Sequence, residues 1–175
     1  EDGNRVAIGA PGNYGNGADS GHVRVYKYEY GTWTQLGPDI DGEAAGDQSG
    51  VSVSLSSNGT RVAIGAFRND GNDGVNVYSG HVRVHEYDEA NTQWTQLGPD
   101  IDGEAVENLS GYSVSFSSDG NRVAIGALGN NENGRYSGHV RVHEYDEANT
   151  QWTQLGGDID GEAAVNFSGW SVSLS

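Results

Sequence analysis

The chain has 175 residues, 28 of them Gly, no Cys and a formal charge of −16. Nine Lys plus Arg against 25 Asp plus Glu exclude a surface that tracks nucleic-acid phosphates. The missing Cys excludes disulfides, thiol catalysis and thiolate metal sites, no apolar run reaches the ~18 residues of a membrane span, and a chain without Met reads as an excised or processed piece.

Self-comparison organises everything else. RVAIGA stands at Arg5–Ala10, Arg61–Ala66 and Arg122–Ala127, and SGHVRV at Ser20–Val25, Ser79–Val84 and Ser137–Val142. WTQLG begins at Trp33, Trp94 and Trp152, and DIDGEA at Asp39, Asp100 and Asp158. The period is 56 to 61 residues, with units near 1–56, 57–117 and 118–175. Such regularity argues against disorder, despite the polar, Gly-rich composition.

In chain order, each period predicts four strands. Ser49–Ser56 alternates Val51, Val53 and Leu55 with small polar residues. RVAIGA follows across Ser57-Asn58-Gly59-Thr60, a turn whose two central residues are expected at positive φ. An Asn- and Gly-rich loop of variable length leads to GHVRVYKYEY (Gly21–Tyr30), and a short hairpin leads to TWTQLG. Period-two alternation with β-branched and aromatic residues is the strand signal. Four antiparallel strands per period, repeated, predict an all-β propeller with three blades of about 58 residues in this chain.

GYSVSFSSDGNRVAIGALG (Gly111–Gly129) with SGHVRVHEY (Ser137–Tyr145) resembles the FG-GAP repeat of integrin α-subunit propellers, in its calcium-free bacterial and algal form. The resemblance covers all three periods. It implies an extracellular or cell-surface protein, a non-enzymatic scaffold, adhesion or binding module. It implies a glycan or cell-surface protein as partner, with a propeller lectin carrying one site per blade as the alternative. The calcium-binding members carry D-x-D-x-D-G between the first two strands. Here that connection is SSNGT or SSDGN, so the family's calcium site is absent and no cofactor is expected, with calcium held elsewhere as the alternative.

No catalytic constellation stands out, because His22, His81 and His139, like His85 and His143, recur at fixed repeat positions as packing residues do. Asp70 and Asp73, in the Asn- and Asp-rich middle loop, are the metal candidates. The three acids of each DIDGE linker could chelate a cation but lack the EF-hand spacing, and the linkers are expected to be solvated turns forming an acidic rim. Trp33, Trp94 and Trp152, with Tyr112 and Trp170 in the first strand of their periods, are the ligand-binding candidates. Ser171–Ser175 followed by Glu1–Ala10 reproduces Ser52–Ala66, so Val6, Ile8, Val172 and Leu174 are candidates for closing a head-to-tail homo-oligomer. A six-bladed dimer is favoured over a nine-bladed trimer.

Overall fold

The computed structural model describes residues 3–71 and 77–175. The described residues form fourteen strands in three antiparallel sheets and no α-helix. The first sheet holds β1 (Arg5–Ala10), β2 (His22–Glu29), β3 (Thr32–Gln35) and β4 (Ile40–Asp41). The second holds β5 (Ser52–Leu55), β6 (Arg61–Ala66), β7 (His81–Asp88), β8 (Gln93–Gln96) and β9 (Ile101–Asp102). The third repeats it with β10 (Ser110–Phe116), β11 (Arg122–Ala127), β12 (His139–Asp146), β13 (Gln151–Gln154) and β14 (Ile159–Asp160).

Within the second sheet the order is β5-β6-β7-β8, with Val53 opposite Ile64, Ala66 opposite His81 and Tyr87 opposite Trp94. The short β9 also pairs with β7, putting Asp102 opposite His81 and Ile101 opposite Val82. The acidic linker is therefore partly strand, where a solvated turn was expected. Its Ile40 and Ile101 are buried, which anchors the linker to its sheet. The arrangement of stacked antiparallel sheets is that of a partial β-propeller.

Alternation decides which neighbour each residue touches. Val23, Val25 and Ile40 of the first sheet pack against Val62, Ile64 and Trp94 of the second. Ala63, Val82, Val84 and Ile101 pack the other way, against Val114, Phe116, Val123, Ile125 and Trp152 of the third. Each buried Val or Ile contributes about 1.5–3 kcal/mol, so stability resides between sheets as much as within them. Close approach needs small residues. A Cβ on Gly65 would run into the Gly111 carbonyl oxygen, and one on Gly126 into that of Gly169.

The turn between β5 and β6 differs from expectation: only Gly59 has positive φ, 67°. The loop is two residues longer than a tight hairpin, so Asn58 keeps ordinary φ and caps it, its Oδ1 accepting from the Thr60 amide at 3.0 Å. Chain passes between sheets by a fixed device. The Ser110 amide donates to the Ser79 carbonyl at 2.9 Å before β10 departs for the next sheet, and Ser168 does the same to Ser137.

Candidate functional site: a His–carboxylate cluster between sheets

The His that opens each long strand lies against the acidic linker. His22 faces Asp39, with Nδ1 3.4 Å from Oδ2, and His139 faces Asp158 at 3.3 Å and Asp160 at 4.0 Å. His81 Nδ1 lies 3.6 Å from Asp100 and 3.8 Å from Glu43. Glu43 belongs to the preceding repeat. The same holds for Glu104, which joins His139 and Asp158. In the first sheet the group is His22, Asp39 and Asp41, all from one repeat.

The acids and the ring differ in access. His139 is 0% exposed and His81 2%, whereas the Glu43 and Glu104 side chains are 41% and 44% exposed. The histidine forms the floor and the glutamate the mouth. Neither ring nitrogen of His139 makes a hydrogen bond, because the short contact to Asp158 lacks the alignment. Burial holds His139 below its ordinary pKa, with Asp158 opposing, and takes His81 down to about 4 against the pull of Asp100. Burial raises the Glu43 carboxyl, against Arg83 and helped by Asp100. Gln96 and Gln154 fix the far oxygens of Asp100 and Asp158 at 2.6 and 2.7 Å, leaving Oδ2 to face the imidazole.

At the same end of the sheets lies an aromatic cluster. Tyr112 sits between Phe67, 5.6 Å between centroids, and Trp170, 5.2 Å. Trp170 is 59% exposed. The other three tryptophans lie elsewhere. Trp94 and Trp152 are buried and donate Nε1 to the Leu36 and Leu97 carbonyls of the preceding sheet, both at 2.8 Å. Trp33, which no earlier sheet covers among the described residues, is exposed. Asp70 is exposed and its Oδ1 accepts from the Tyr78 amide at 2.9 Å. Asp73 lies outside the described residues. Val6 and Ile8 are exposed along β1. Residues 171–175 form no strand; Val172 is half-buried there, and the Leu174 amide donates to Ser115 Oγ at 3.0 Å, as Phe116 does to Ser54.

The sequence of one repeat does not show the clusters, because the glutamate comes from one repeat and the histidine from the next. The signal available was that the His and the DIDGE acids recur with one period.

No protein-family model matches the chain, and no curated protein matches it in sequence. Several solved structures share its architecture. A proposed 6-phosphogluconolactonase from Bacteroides fragilis has 16% identity and a TM-score of 0.54 over 82% of this chain and 34% of its own. The periplasmic gluconolactonase PpgL of Pseudomonas aeruginosa has 22% identity and a TM-score of 0.51 over 83% and 35%. Sqt1 of Saccharomyces cerevisiae has 15% identity and a TM-score of 0.54 over 93% and 34%. The chain spans about a third of the length of each.

The likeness is one of fold, all-β and propeller-like, and it corrects the expected role. The FG-GAP resemblance, carried by short motifs, finds no matching family model. The non-enzymatic adhesion scaffold, and the lectin offered beside it, are overturned by neighbours named as lactonases. The role had been borrowed from a motif, and one fold hosts many functions.

Proposed function

We propose that the three sheets are three blades of about 58 residues, and that they form part of a propeller that hydrolyses lactones at the His–carboxylate clusters. The observation carrying this reading is the exposed Glu43 set over the buried His81 and Asp100 across a sheet boundary, in a fold shared with proteins named as lactonases.

An exposed carboxylate can take a proton from a water held at the cluster. The water oxygen then bonds to the lactone carbonyl carbon. The ring C–O bond breaks, and the departing ring oxygen takes up the proton, leaving a hydroxy acid. The charge of −16 favours a neutral sugar lactone over a phosphorylated one. The same field repels the carboxylate product and hastens its departure. The exposed Trp170 ring, braced by Tyr112, offers an apolar face to a sugar ring.

The test is acid release from a sugar δ-lactone in a pH-stat. Opening faster than the spontaneous rate, lost at least tenfold in Glu43→Gln/Glu104→Gln, is expected. A rate equal to the spontaneous one at every protein concentration sinks the reading.

A further inference from the structure

We infer that the two clusters that straddle sheet boundaries, Glu43–His81–Asp100 and Glu104–His139–Asp158, are binding sites for a zinc-type divalent cation. Each offers one imidazole nitrogen and two carboxylates whose ligand atoms all lie within 4.8 Å of one another. Tetrahedral ligands about 2.0–2.2 Å from zinc stand about 3.3–3.6 Å apart. The separations here are 3.3 Å for His139–Asp158, 3.6 Å for His81–Asp100 and 3.8 Å for His81–Glu43. At His81 both carboxylates already stand near that spacing; at His139 only Asp158 does, and Glu104, paired with Arg141 at 3.3 Å, must swing in to complete the set.

Acidic groups alone would say little. The second observation is His139, 0% exposed, with both ring nitrogens lacking hydrogen bonds and Nδ1 directed at the acids. A buried polar nitrogen without a partner costs stability, and a bound cation supplies the partner. The nitrogen ligand favours zinc and its neighbours over calcium, which takes six to eight oxygens. Charge agrees: Glu43 and Asp100 outweigh Arg83, 3.5 Å from Glu43, and leave the group at −1. Three protein ligands leave a fourth position on the exposed side, for a water whose proton the ion would loosen.

The first sheet's group differs. Arg24 grips both oxygens of Asp39 at 2.9 and 2.8 Å, and among the described residues no glutamate joins the group. The tight stoichiometry is therefore two ions per chain.

This inference places its ion in the clusters proposed above, so it is tested with the metal alone. The chain is titrated with Zn²⁺ by calorimetry, with circular dichroism reporting the fold. Two ions are expected, falling to one in Glu104→Gln/Asp158→Asn, whose side chains are both partly exposed. Glu43→Gln/Asp100→Asn gives an independent reduction at the other boundary. No uptake, two ions retained in both variants, or Ca²⁺ bound as tightly as Zn²⁺ overturns the inference. Lactone opening with no zinc uptake sinks the ion and leaves the hydrolysis standing. Two ions bound without lactone opening support the ion and sink the hydrolysis.

Discussion

Arg83 donates Nη2 to the backbone carbonyl of Asp41, 2.7 Å away and 42 residues earlier, in the preceding sheet. Arg141 does the same to Asp102 at 2.7 Å. Arg24 is their repeat equivalent but has no sheet before it, and it folds back onto its own Asp39. One sequence position thus holds a buried arginine bonded between sheets or a half-exposed one paired within its own, according to its neighbour.

Arg83→Ala should therefore cost about 1–2 kcal/mol, since the buried guanidinium loses its part-buried bond to the Asp41 carbonyl and its pairing with Glu43. Arg24→Ala should cost clearly less, as solvent-screened pairs do. Urea unfolding of the two variants checks this, and equal losses would remove the distinction.

Trp94→Phe and Trp152→Phe should each cost about 1 kcal/mol or more, by losing the Nε1 bond to the preceding sheet and some buried area. Trp33→Phe, on an exposed ring, should fall within about 0.5 kcal/mol of the parent. Thermal melts of the three variants test the ranking.

Gly65→Ala should separate the second and third sheets, because the new methyl meets the fixed Gly111 carbonyl. A loss of about 2 kcal/mol or more is expected. Gly157→Ala has open space and ordinary φ, and serves as the matched control, within about 0.5 kcal/mol. If both melt alike, sheet contact is not what Gly65 serves.

Stability should fall as pH drops from about 6.5 to 4. Burial, reinforced by Arg83, pushes His85 down to about 4, and burial with Arg141 does the same to His143 against Asp158. The folded pKa is depressed, so the unfolded chain binds more protons inside that window. The contribution is complete above about 6.5 and is lost on acidification, on the order of 3 kcal/mol for His85. His85→Gln, measured by denaturant titration at pH 7 and pH 5, should flatten the slope; an unchanged slope would assign it elsewhere.

The repeats, the four main strands and their hairpins were legible because alternation and turn chemistry are local. β4, β9 and β14 were not, because two residues carry no periodicity. Only their pairing with β2, β7 and β12 reveals them. The clusters were illegible for a different reason. Glu43 and His81 are 38 residues apart and in different repeats, so reading one unit at a time divides the group. The turn at Asn58-Gly59 was half legible: its residues named the turn, and its length changed the geometry.

A cluster built from the glutamate of one repeat and the histidine of the next belongs to neither. It belongs to their junction. Three repeats in a row contain two junctions, whereas a closed ring contains as many junctions as repeats. Counting the working clusters in solution would therefore count the seams of the assembly, and an extra seam would report closure.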